Sequence, residues 1–267
     1  MRTLERVVAQ ASSGPQQLPT IFPALAEAGI RPRRYTVTMI AAVPGSLKSM
    51  LTLYWVARMG LPTLFFSADT DSYETMKRAS AMVTGLTQAE VERDIASGNR
   101  EAYTEQLRDL NIRWVFESDP SYHDLSLETA AYAEVFGQFP AVIVIDNLMN
   151  VVGENENEWG SMRDTTKALK RLVRITDAAV FVLHHMSEQE KDHGTPPARR
   201  RLQGKVSQLP EVILSLALVG DELRVAAVKN RFGPGDASGE KYVTIWTSPE
   251  RCTFYTSRQA MITGFRA

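Results

Sequence analysis

The chain has 267 residues, 44% hydrophobic and 23% charged, a balance that excludes a disordered chain and supplies the apolar surface of one large α/β domain or two small ones. Its formal net charge of -1 excludes a uniformly basic nucleic-acid coat, so any DNA site must be a local patch. A single cysteine, Cys252, excludes an internal disulfide and a cysteine-rich zinc site and suits a reducing cytoplasm, and neither a signal-type apolar region nor a run of about 18 apolar residues points to a membrane.

In chain order, residues 1–12 read as a short amphipathic helix broken by Ser12-Ser13-Gly14-Pro15, so that residues 1–19 form an N-terminal arm or linker and residues 20–267 the main domain. Uninterrupted apolar runs predict strands covered on both faces at 35–41, 63–67, 141–145 and 179–183, with a fifth at 114–117. Between them, helices are predicted over 48–59, 72–84 and 126–136, stopped by Gly60, Gly85 and Gly137. Thr87 followed by Glu90 opens another at 88–96 as a capping box. Over 161–176, Met162, Leu169, Leu172 and Val173 share one face, and Arg163, Lys167, Lys170, Arg171 and Arg174 read as its solvated side. Short strands at 211–219, 223–228 and 242–246 then predict an antiparallel extension of a mostly parallel sheet.

Three features carry chemistry. Ala42-Val43-Pro44-Gly45-Ser46-Leu47-Lys48-Ser49 stands where a strand ends and a helix begins, where backbone N–H groups and the helix dipole can hold phosphates. Lys48 would reach the β and γ phosphates and the Ser49 hydroxyl would ligate Mg²⁺. Leu47 replaces the usual glycine, and its side chain must tolerate an unusual backbone angle at about 1 to 2 kcal/mol or point away from the phosphates. Second, residues 141–145 end in Asp146, a carboxylate at a strand's carboxyl end that can hold Mg²⁺ through water. Third, Asp69 at the mouth of strand 63–67 could orient an attacking water, with Asp71 a rival. Each has a plainer alternative: an ordinary strand-to-helix turn, or a capping carboxylate.

Taken in order, these segments resemble the RecA-like ATPase domain of DnaB-type replicative helicases, from about Thr20 to Trp246. The loop 42–49 is similar to that family's Walker A motif, departing at Leu47, and Asp146-Asn147-Leu148 to the end of its Walker B strand. Ser67-Ala68-Asp69-Thr70 resembles the segment that carries its catalytic glutamate, so the resemblance gives that role to Asp69 with a shorter side chain. Leu183-His184-His185-Met186 resembles the strand end that senses the γ-phosphate, making His185 the sensor. Lys229-Asn230-Arg231-Phe232-Gly233-Pro234 is similar to the hairpin whose two basic residues, here Lys229 and Arg231, reach a neighbouring subunit's nucleotide. The resemblance implies a RecA-like P-loop NTPase fold, ATP and Mg²⁺ as cofactors, assembly as a hexameric ring or filament, and single-stranded or forked DNA as partner. The family's amino-terminal primase-interaction domain has no counterpart in the 35 or so residues before the first strand. The carboxylate shortened at Asp69, together with Leu47, implies slow or altered turnover.

For DNA, the acidic loop 152–160 with Glu154, Glu156 and Glu158 is a poor phosphate partner, whereas the loop 187–203 carries Lys191, His193, Arg199, Arg200 and Arg201, with Lys205 beyond it. Gly194, Pro196 and Pro197 mark it as an exposed mobile loop. Two alternatives to an ATP-dependent DNA motor or recombination factor stay open. One is a metal-dependent nuclease using Asp69, Asp71 and Asp146, although His184, His185 and His193 lack metal-ligand spacing. The other is a weakly hydrolysing, nucleotide-responsive scaffold or loader.

Overall fold

A computed structural model describes residues 16–153, 158–187, 194–208 and 210–264; the predicted arm helix over 1–12 lies outside them. Nine strands form one sheet: β1 (Val37–Ala42), β2 (Thr63–Ser67), β3 (Ile112–Val115), β4 (Val142–Asp146), β5 (Ala179–His185), β6 (Val212–Val219), β7 (Glu222–Asn230), β8 (Val243–Ser248) and β9 (Thr253–Tyr255). They lie side by side in the order β3-β2-β4-β5-β1-β6-β7-β8-β9. The first six are mutually parallel and the last three antiparallel. The antiparallel extension therefore begins one strand later than the sequence reading placed it, because β6 pairs in parallel with β1 through Thr38↔Val212 to Ala42↔Leu216. Every residue of β1, β2 and β4 is buried, as a parallel strand covered on both faces requires.

Alternation along the strands splits the core into two apolar layers. On one face, Ile40, Phe181, Leu183 and Val144 meet α2 (Lys48–Met59), α3 (Ser72–Thr84), α4 (Gln88–Ala96) and α5 (Glu101–Arg108) through Leu51, Trp55, Ala79, Val91 and Tyr103. The short helix α1 (Pro23–Glu27) adds Leu25 to that layer, and Leu18 and Phe22, which lead into α1, are buried in it too. On the other face, Met39, Ile143, Val180 and Val182 meet α6 (Tyr122–Phe136) and α7 (Glu158–Thr176) through Leu125, Tyr132, Leu169, Leu172 and Val173. A last helix, α8 (Arg258–Thr263), follows β9.

Helices α2, α3 and α4 have the predicted bounds, and the predicted stops Gly60, Gly85 and Gly137 all adopt a left-handed conformation. Helix α6 starts one turn before residue 126, because Ser121 and Asp124 close a capping box through the Ser121 amide and hydroxyl. Strand β3 begins at Ile112 rather than Trp114. Pairing with β2 buries Ile112, while the chain past Val115 leaves the sheet and exposes Phe116.

Candidate functional site

The phosphate loop follows β1. Gly45 takes φ 78°, and a Cβ built there would meet nothing within 4 Å, so its glycine serves backbone angle rather than clearance. Leu47 also takes the left-handed conformation, φ 58° and ψ 24°, as the residue that caps α2. A side chain there costs roughly 1 to 2 kcal/mol, and Leu47 offsets it by packing its half-buried side chain against the apolar layer beneath the helix. The first turn of α2 carries no acidic residue and no side-chain cap, which leaves its leading N–H groups for an anion.

Lys48 is only 8% exposed. Burial pulls its ammonium below the ordinary lysine value, and the nearby carboxylates of Asp146 and Asp69 oppose that pull. Asp146, 2% exposed at the end of β4, is pushed up to about 6 by burial, against the Ser49 hydroxyl hydrogen bond and the charge of Lys48. Its Oδ1 is buried without a hydrogen-bond partner. A buried carboxylate oxygen left unmet beside a hydroxyl is an oxygen donor set that fits a hydrated Mg²⁺. Asp69 is exposed at the end of β2, and its backbone N–H and that of Ala68 donate to the Asp146 carbonyl at 3.2 and 2.8 Å. Asp71 is removed from the site: its carboxylate caps α3 by accepting from the Glu74 N–H at 2.9 Å. Among the described residues no group of three or more His, Cys, Asp or Glu side chains is placed to hold a metal, so the carboxylate cluster that the nuclease reading needs is missing there.

His184 and His185 are neighbours on β5, and strand alternation points them to opposite faces. His185 sits at the level of Ala42, 3.3 Å from the Asn147 amide nitrogen. The Asn147 amide oxygen accepts from the Met149 N–H, which turns its nitrogen toward His185 Nε2, while His185 Nδ1 is buried without a hydrogen-bond partner. Burial, then Lys48, lowers its pKa, which keeps it neutral. His184 is fully buried and donates Nε2–H to the Gln203 carbonyl at 3.0 Å, while its Nδ1 has no partner. Burial lowers its pKa from 6.5 to about 4. The folded state thus binds fewer protons than the unfolded chain between those values, and stability falls as pH drops through that window, by roughly 3 kcal/mol in all. His184→Gln keeps a donor and removes the titration. Denaturant unfolding should show a shallower loss between pH 6.5 and pH 4 for this variant, and equal slopes would refute the assignment.

The basic residues separate. Arg199 and Arg200 are exposed on a short 3-10 turn. Arg201 is 8% exposed, and its guanidinium donates to the Ser187 carbonyl, so its side chain is engaged within the fold. The described part of the predicted exposed loop is partly packed: Pro196 and Pro197 are buried, the Ser215 hydroxyl donates to the Pro197 carbonyl at 2.6 Å, and the Arg199 N–H donates to the Ala237 carbonyl at 2.9 Å. Lys191, His193, Glu154 and Glu156 lie outside the described residues, as do the side chains of Lys205 and Glu158.

Lys229 and Arg231 lie at the opposite end of the sheet from the phosphate loop. Asn230 pairs with Val212, Val212 with Thr38, and the Arg231 N–H donates to the Glu211 carbonyl. Glu211 in turn pairs with Val37. At about 3.3 Å per residue, the rise from Val37 to Ala42 puts Arg231 roughly 17 Å from the start of the loop along the strand direction. Lys229 donates to the Ser207 and Gln208 carbonyls, both at 2.8 Å, and burial, then Arg231 and Lys170, lower its pKa to about 8. The turn beyond is seated by Asn230 Nδ2, which donates to the Gly29 carbonyl, and Arg33 lies over the Phe232 ring. Sequence reasoning missed Glu211 and Lys170, which pair at 2.9 Å. Glu211 stood at a strand start and Lys170 on a helix face that read as solvated, and only the sheet register brings them together.

A phosphate loop at the carboxyl end of a parallel β1, with a buried carboxylate ending the next strand but one, defines a RecA-like P-loop ATPase fold. The family of AAA domains matches residues 16–191, and the chain belongs to that family. It is 30% identical over 237 residues to the Gene 65 protein of Mycobacterium phage L5, covering 85% of this chain and 88% of that protein. The Gene 65 protein of Mycobacterium phage D29 is 28% identical over 218 residues, covering 78% of this chain and 94% of that protein. A solved structure of an isolated ATPase domain superposes with a TM-score of 0.80 at 18% identity, covering 96% of both chains. A DnaB-like replicative helicase, solved in a study of its interactions with primase, superposes with a TM-score of 0.79 at 18% identity, covering 94% of this chain and 66% of its own. The fold is therefore that of DnaB-type ATPase domains. Among the described residues no helix is long and apolar enough to cross a membrane.

Proposed function

We propose that this protein is an ATP-dependent, oligomeric DNA-binding protein of the DnaB-like helicase class, coupling ATP hydrolysis to work on single-stranded or forked DNA. The observation that carries this reading is the group of Lys48, Asp146, Asp69 and His185, electrostatically linked around a phosphate loop at the carboxyl ends of parallel strands. Residues 42–49 wrap the phosphates in backbone N–H groups, and Lys48 binds the terminal phosphates. Ser49 and Asp146 would hold Mg²⁺, which neutralises charge on the phosphate oxygens when bound. Asp69 orients the attacking water, its carboxylate one methylene short of a glutamate. His185, neutral and held by Asn147, faces the position of the terminal phosphate.

Lys229 and Arg231 serve the nucleotide of an adjacent copy, so the active form is a ring or filament of identical subunits. Arg199 and Arg200 contribute to the DNA surface, joined by Lys191 and Lys205. Their contacts are with phosphates and indifferent to sequence. A reducing cytoplasm suits Cys252, which is buried and whose thiol burial pushes up to about 12.

The test is incubation of the purified protein with labelled forked DNA and Mg²⁺, with and without ATP. ATP-dependent strand separation is the expected result. Cleavage would point to a nuclease, and binding that never leads to separation to a scaffold or loader. The DNA surface has its own test. Arg199→Gln with Arg200→Gln should flatten the slope of log affinity against log salt by about 0.7 per contact, roughly 1.4 together. An unchanged slope would place both arginines away from the DNA.

A further inference from the structure

Two cations, Lys170 and Arg231, pair with one carboxylate, Glu211, at the end of the sheet far from the chain's own phosphate loop, and Lys229 lies close enough to feel the charges of all three. Lys170 meets the carboxylate at 2.9 Å, and Arg231 does so at 3.7 Å. Glu211 is fixed from behind: its Oε2 accepts from the Val37 N–H at 3.0 Å, its backbone N–H donates to the Val37 carbonyl, and its own carbonyl accepts from the Arg231 N–H. The two side chains differ in freedom, since that of Glu211 is 16% exposed and that of Arg231 54% exposed. Arg231 is therefore the exposed partner of a rigid negative point, with the like charge of Lys229 close by.

We infer that Glu211 is a positioning residue for the arginine that this chain offers to a neighbouring copy. Its charge sets the direction of the guanidinium and balances the cations that would otherwise splay it. The inference rests on the proposed action of Arg231 in trans. Lys170 is part of the same balance, securing the carboxylate from α7.

Glu211→Gln isolates the effect, because the amide oxygen can still accept from the Val37 N–H while the charge is gone. A misplacement of about 1 Å at a reacting centre can cost roughly 10²-fold in rate, so kcat of the assembled variant should fall roughly 10- to 10²-fold. KM for the nucleotide should stay near the native value, since Lys48 and its loop are untouched. The decisive readout is subunit mixing. Glu211→Gln mixed with Lys48→Ala should recover activity, because intact Lys48 sites then meet neighbours with an intact Glu211 and Arg231. Glu211→Gln mixed with Arg231→Ala should recover none. Native turnover by Glu211→Gln, or no recovery with Lys48→Ala while Arg231→Ala does recover with it, would overturn the inference. If Arg231→Ala also fails to recover with Lys48→Ala in mixed assemblies, the trans reading itself is wrong and this inference falls with it.

Discussion

Arg231→Ala is expected to lower NTP turnover by about 10³- to 10⁵-fold, the effect of an inserted arginine in other phosphoryl-transfer sites, while nucleotide affinity stays near the native value. Within one chain Arg231 stands at the far end of β6 and β7 from the phosphate loop, a gap that a single side chain does not close. In the proposed trans arrangement its guanidinium would act on a nucleotide held by another copy, where a planar fork stabilises charge building on the transferring group once water is excluded. The check is to mix Arg231→Ala with Lys48→Ala, each inactive alone but able to assemble. Interfaces that pair an intact Lys48 with an intact Arg231 should recover part of the activity. If demonstrably mixed assemblies recover nothing, Arg231 is a turn residue or a DNA contact instead.

Lys48→Ala should weaken ATP binding by roughly 1.5 to 3 kcal/mol, one to two decades, through loss of a charge-assisted phosphate contact. The structure adds a second consequence. The Lys48 charge is one of the influences that hold Asp146 down against burial, so its loss removes one support of the ionised carboxylate. The loss should therefore be larger in the presence of Mg²⁺ than in its absence. Calorimetry giving equal ATP affinities for the variant and the native protein would rule out Lys48 as a phosphate ligand.

The elements that define the nucleotide site were legible because their signals are local. A strand such as β4 is an unbroken apolar run with a carboxylate at its end, and α2 is bounded by the lysine of the loop and by Gly60. Leu47 was legible as an anomaly, but its resolution was not: only the packed structure shows that the left-handed backbone is retained and the side chain turned into the core. Where the sequence says less, the deciding contact is distant along the chain. Arg201 looks like its two neighbours until the Ser187 carbonyl, fourteen residues earlier, comes alongside it. Lys170 looks solvated until β6 brings Glu211 against α7. Strand β3 could not be bounded from its own residues, because its start is set by pairing with β2.

The placement of phosphate loop and arginine at opposite ends of one sheet also makes each proposed contact directional, a socket on one copy and a plug on the next. Such heterologous contacts either close into a cycle or run on as an open helix. In a closed cycle every socket is filled, and the number of working sites equals the number of subunits. An open assembly always carries one empty socket at one end and one idle plug at the other. Its specific activity per subunit therefore rises with length. A Lys48→Ala copy at the end with the empty socket would cost it no activity, whereas the same copy anywhere else would silence one site.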